Sequence, residues 1–159
     1  METVAELLWR LGFLLYGGPI VAFAILVSAA SRIPDIQPWE IVRTYRCWGP
    51  GLGLSLGAAI LGGLTGHYLT HGSFTWAWSS PVERWELATW LCFFLLWVSN
   101  LKLEVWTLEP LRKLDRSGQI EDPEAYREGV RPLSRHLVVQ AVLVVAVVCC
   151  EIVYRSLQV

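Results

Sequence analysis

Four long apolar stretches, each almost free of charge, constrain this chain more than any other feature of its sequence. The first covers about residues 5–30, with Glu6 at its edge and one charge deeper inside, Arg10, and the others cover about 48–69, 85–108 and 136–157. At about 1.5 Å of rise per residue, each exceeds the roughly 17 residues that a hydrocarbon core demands. A water-soluble domain of this size spends most of its surface on polar side chains. Here 54% of 159 residues are hydrophobic and 17% are charged, which points to lipid as the solvent. Only helices and closed barrels satisfy every backbone amide in a bilayer, and the alternating strands of a barrel are missing. The expected fold is therefore all-α: an integral membrane four-helix bundle in a single domain, with polar connections at 31–47 and 109–135.

Formal net charge is −1, so no electrostatic footprint points to nucleic acid, and the composition excludes a disordered or collagen-like chain. Glu2 and Glu6 precede the first apolar run where a signal peptide carries basic residues, so that run is expected to stay in the mature protein. Orientation follows from the basic residues. Arg32, Arg43 and Arg46 lie in the first connection, and Arg112, Lys113, Arg116, Arg127, Arg131 and Arg135 in the third. Only Arg84 and Arg155 lie on the other side. The excess places the first and third connections in the cytoplasm and both termini outside.

The first connection, with Pro34 and Pro38 followed by Trp39, Ile41, Val42 and Tyr45 among Arg43 and Arg46, suits either a short interfacial helix or an N-terminal extension of the second span. Trp76, Trp78 and Trp85 in the middle connection read as an aromatic belt. In the third, Asp122, Pro123, Glu124 and later Gly129 have the order of an N-cap, N1 and C′ for a short surface helix.

Cys47, Cys92, Cys149 and Cys150 have no metal-ligand spacing and read as packing residues, so no metal is expected. Gly49, Gly53 and Gly57 lie four apart, as do Ala59 and Gly63, and Gly62 and Gly66. Such spacing brings helix backbones together in lipid, and it can also make room for a flat or lipid-like ligand. His67 and His71 lie at the outer end of the second span and His136 at the inner end of the fourth, roughly 30 Å away. One iron cannot bridge the two ends, and no haem or other cofactor is expected. Intramembrane ionisable residues carry the remaining functional signal. With this topology Arg10, His67, Glu86 and Glu151 form an outer-leaflet layer, and Asn100, Lys102, Glu104, His136 and Gln140 an inner one. Arg10 is expected to donate to Glu151 or Glu86, and Lys102 to reach the headgroups. The alternative is a proton, ion or substrate role for one layer.

The stretch WVSNLKLEVWTLEPLRKLD (97–115), leaving the third span, is followed by REGVRPLSRHL (127–137) opening the fourth. With Trp48, Gly49, Pro50 and Gly51 at the start of the second span, it resembles small bacterial four-helix membrane proteins of the copper-resistance D type and the related membrane protoporphyrinogen oxidases. The resemblance implies an N-out four-helix layout. In the oxidase family a His of the first helix and a Lys of the third carry haem-related function. Here the first helix offers Arg10 and Tyr16 instead, and Lys102 lies late in the third. The expected role is a non-enzymatic subunit or scaffold of a bacterial-type inner membrane, surrounded by lipid and joined to a membrane partner or a second copy. A haem- or quinone-linked oxidoreductase and a small transporter or channel subunit are the rivals. A pocket walled by glycines of the second span and lined by His67 would favour the oxidoreductase, and an aqueous cavity reaching the carboxylates the transporter.

Overall fold

A computed structural model describes residues 2–33, 35–73, 79–115, 120 and 122–157, apart from the side chains of Glu2, Thr3 and Glu104. Among the described residues all regular structure is helical: α1 (Glu2–Ala30), α2 (Pro38–His71), α3 (Pro81–Lys102), a π-helical segment (Leu103–Leu108), α4 (Glu109–Leu114) and α5 (Pro123–Ser156). Four helical stretches, Val4–Ala30, Pro38–His71, Pro81–Leu114 and Pro123–Ser156, are long and apolar enough to cross a membrane. Their outward faces are apolar too, with Leu14, Leu54 and Trp106 among the most exposed side chains. Trp76, Trp78, Arg116 and Pro34 lie outside the described residues.

Local chemistry sets the helix ends. Ser80 accepts the Glu83 backbone N–H at 3.2 Å while the Glu83 carboxylate accepts the Ser80 N–H at 2.9 Å, a reciprocal cap with Pro81 at the first helical position. Asp122 caps α5 by accepting from Glu124 and Ala125 N–H groups. Gly72 ends α2 at φ 68°, a conformation open to glycine, and its N–H closes on the Tyr68 carbonyl.

Two connections are shorter than the sequence suggests. Residues 38–47 extend the second span, so the first loop shrinks to about 31–37. The short surface helix expected after Asp122 is instead the beginning of α5, which runs unbroken to Ser156. Tyr126, Val130, Leu133 and Leu137, three or four apart and fully buried, continue the apolar stripe of the span back through the polar stretch. Gly129 is a packing residue inside α5, where an added Cβ would sit 2.9 Å from Leu111 Cδ2.

Helix α1 lies along both α2 and α5, and α3 lies along α5, whereas the backbones of α2 and α3 barely approach one another. The core comprises Tyr16, Ile20 and Val27 of α1, Leu52 and Leu56 of α2, Phe93 and Leu96 of α3, and Leu133, Leu137 and Val147 of α5. Ser28 and Ser134 share a hydrogen bond of 2.9 Å across α1 and α5. The close approach of α1 and α2 uses Gly12 and Gly62. A Cβ on Gly62 would fall 2.6 Å from Trp9 N and 2.7 Å from Ala5 O; one on Gly12 would fall 2.6 Å from Ser55 O.

That corrects the expected packing face. A Cβ on Gly49, Gly53 or Gly57 would meet nothing within 4 Å, so these three do not bring helices together. The buried face of α2 runs through Leu52, Leu56, Ala59 and Gly62, and a register four apart from 49 points elsewhere on the cylinder. Gly63 borders that face, with ring atoms of Trp9 and Trp90 at 2.8 and 3.0 Å from a Cβ there.

Candidate functional site

Because α2 and α3 stand apart, the bundle is open along one seam, and three cavities follow one another down it. At the end carrying both chain termini, a cavity of about 460 Å³ is walled by Gly62, Gly63 and Gly66 and receives His67, His71 and Glu86. The middle one, about 450 Å³, is almost wholly apolar, between Gly57, Ile60, Leu61 and Leu64 of α2 and Trp90, Phe93, Phe94 and Trp97 of α3. The third, about 550 Å³, lies at the far end among Arg43, Arg46, Gly49, Asn100 and Arg112. Gly49 and Gly57, which pack against no helix, each border a seam cavity.

In the terminal-end cavity His67 and His71 are one helical turn apart, which stacks their rings on one face of α2 with centroids 4.6 Å apart. Glu86 comes from the second turn of α3. Its Oε1 is 2.5 Å from His67 Nδ1 and its Oε2 is 3.7 Å from His71 Nε2. His67 is buried, Glu86 is mostly covered and His71 is open to the cavity. Trp9 closes the floor against Trp90 and Phe93, with ring centroids 6.0 and 4.5 Å away. Glu6 and Glu151 also line this cavity.

The ion pairing there differs from expectation. Arg10 donates to Glu6, its own neighbour at i−4, at 2.5 Å, rather than to Glu151 or Glu86. Arg155 bonds Glu151 at 2.7 Å and reaches Glu6 at 3.3 Å. Arg10 and Glu151 are thus joined only through Glu6 and Arg155, because each arginine meets a carboxylate on its own helix first. The outer layer separates into this surface chain and the His67–Glu86 group.

The inner layer does not form one cluster. Asn100 lines the far cavity, Lys102 is exposed, and His136 Nε2 lies 3.2 Å from the Ser99 carbonyl oxygen. Gln140 is fully buried on α5 with no hydrogen-bond partner for its amide among the described residues. The side chain of Glu104 lies outside the described residues. Tyr16 is fully buried in the core, away from all three seam cavities.

Two functional features lie beyond the sequence expectation. The H-x-x-x-H spacing of His67 and His71 on a helix is the signal that puts both rings on one face. Asp115 carried no signal of its own, yet it accepts from Arg43 Nε at 2.8 Å and from its terminal nitrogen at 2.5 Å, with Arg46 at 3.7 Å. The Arg43 guanidinium holds the Asp115 carboxyl below the usual carboxylate range. Compared with known protein families, with curated proteins and with solved structures, the chain matches none.

Proposed function

We propose that this is a multi-pass protein of a bacterial-type inner membrane, termini outside, whose working part is the open seam between α2 and α3. The seam binds a membrane-dissolved amphiphile, with its polar head among His67, Thr70 and Glu86 and its apolar body along Leu61, Trp90, Phe93 and Trp97. One observation carries this reading: a polar cavity and an apolar cavity, with Trp90 lining both, adjoin between α2 and α3, and Gly57, where a Cβ would meet nothing within 4 Å, leaves room in the apolar one. Ligand sites in helical bundles lie between helices and combine apolar walls with a few polar groups. A purely structural subunit has no need of such an opening, so a binding role replaces the scaffold expectation. The likeness to copper-resistance D type bundles enters only as a proposal about layout.

Lipid extraction of the detergent-purified protein is expected to yield a stoichiometric bound amphiphile. Gly57→Leu fills the seam at a position where a Cβ meets nothing within 4 Å. That variant is expected to lose the bound species while melting at the wild-type temperature. Retention of the same species, or its absence from the wild type, ends this reading.

Orientation has its own test. Thr70 is exposed in the terminal-end cavity, and Lys113 is exposed at the far end. In a cysteine-free background, Thr70→Cys is expected to react with a small membrane-impermeant thiol reagent applied from outside, and Lys113→Cys to stay unmodified. The opposite pattern inverts the topology.

A further inference from the structure

We infer that His67, His71 and Glu86 form a binding site for one divalent transition-metal ion of the zinc class, with a coordination position left open to the terminal-end cavity. The inference shares His67 and Glu86 with the polar end of the proposed seam site, and it does not require an amphiphile to be bound. Each of the three residues offers one ligand atom, and these atoms all lie within 4.8 Å of one another. Around a tetrahedral zinc with bonds of about 2.0–2.1 Å, ligand atoms are separated by about 3.3 Å. The His71–Glu86 distance of 3.7 Å is already close to that spacing, and the His67–Glu86 distance of 2.5 Å opens to it by a side-chain rotation of under about 1 Å. The backbone has nothing to rearrange, since both histidines ride on one turn of α2 and the carboxylate faces them from α3.

The donor set selects the ion. Two imidazoles and a carboxylate are borderline ligands that suit zinc and its neighbours better than calcium or magnesium, which prefer oxygen alone. Three protein ligands with an open position describe a site that exchanges or presents its ion, in contrast to the closed four-ligand sites that hold folds together. The surroundings favour a cation. Arg10 and Arg155 pair with Glu6 and Glu151 at the rim, so the carboxylate that faces the two histidines is Glu86, and low-dielectric walls strengthen its pull on a cation. Exposure of His71 at the mouth gives an incoming ion its first ligand, and buried His67 the last.

Equilibrium dialysis of the full chain, purified in mild detergent and freed of any affinity tag, tests this with Zn²⁺, and with Co²⁺ as a probe whose visible absorption reports coordination. The wild type is expected to bind one Zn²⁺ per chain and to give a tetrahedral Co²⁺ spectrum. His71→Ala and Glu86→Gln are each expected to weaken Zn²⁺ binding at least about tenfold, the smallest loss that even removal of an outer-sphere partner produces. His71 is open to solvent, so its variant is expected to keep the wild-type melt, which separates lost ligation from lost folding. His136→Ala, at the other end of α5, is expected to bind Zn²⁺ as the wild type does. No stoichiometric Zn²⁺ in the wild type overturns the assignment. So does undiminished binding in His71→Ala, which would mark an ion held elsewhere. A Gly57→Leu chain that loses its amphiphile and still binds Zn²⁺ shows that the ion is held without the amphiphile, so failure of the one reading is distinguishable from failure of the other.

Discussion

Gly62→Val is expected to separate the first two spans and to lower stability by at least about 1–3 kcal/mol, the range in which overpacked cores fall. Its effect sits at the upper end because the obstacle is backbone. A Cβ at Gly62 falls 2.6 Å from Trp9 N and 2.7 Å from Ala5 O, atoms that no rotamer change can move. Gly12→Val meets Ser55 O at 2.6 Å and Ala59 N at 2.7 Å from the other side of the same contact, so it is expected to behave alike. With the four helices in lipid, as proposed above, no hydrophobic drive would hold them together, so dispersion across this close approach would supply much of the α1–α2 attachment, and forcing it open would forfeit many contacts at once. Gly53→Ala gives the opposite sign. Its Cβ meets nothing within 4 Å, and removing a mid-helix glycine is expected to raise stability by about 0.5–1 kcal/mol. Thermal melts in detergent separate the two signs, and a wild-type melt for Gly62→Val would show that α1 and α2 do not meet here.

The contrast between those glycines marks how far the sequence could be read. The four spans were legible because length and absence of charge are properties of each segment alone. Which face of a span turns inward is not such a property. Gly49, Gly53 and Gly57 and the pair Ala59–Gly62 are both small-residue registers on α2, and only the position of α1 decides between them. Depth along the bundle was legible for Arg10 and Glu151, but azimuth was not, so their direct pairing was an inference from depth that Glu6, four residues from Arg10, displaces. The extension of the second span from Pro38 is one of the two alternatives its sequence offers, whereas Asp122 carries the right capping chemistry for a helix that does not stop at Gly129 but runs on through the polar stretch. His67 and Glu86 were placed at the same end from topology alone. Their union with His71 follows from the i,i+4 spacing of the two histidines on α2.

Asp115 shows the other limit, a contact between residues 72 apart in sequence that no local pattern announces. Its side chain is only 4% exposed, and it accepts two hydrogen bonds from the Arg43 guanidinium, tying the start of α2 to the end of α4. Asp115→Ala takes the carboxylate from Arg43 and Arg46 together. The expected loss is about 2 kcal/mol, between the ~0–1 of an exposed pair and the ~3–5 of a fully buried one, because solvent reaches the Arg43 side of the bond. Arg43→Lys is expected to recover little of it, since an ammonium cannot make the two parallel bonds of a guanidinium. The same pair carries a pH dependence with a definite sign. Its carboxyl titrates below the ordinary value when folded and near about 3.9 when unfolded, so the folded state binds protons less readily. The stabilisation is therefore complete above about pH 4–5 and is lost as pH falls through the depressed folded value. Melting temperatures measured from neutral pH downward are expected to fall more steeply below about pH 4 in the wild type than in Asp115→Asn, which has no proton to take up at this position. Parallel profiles for the two chains would show that the Arg43–Asp115 contact contributes nothing to the acid sensitivity of the fold.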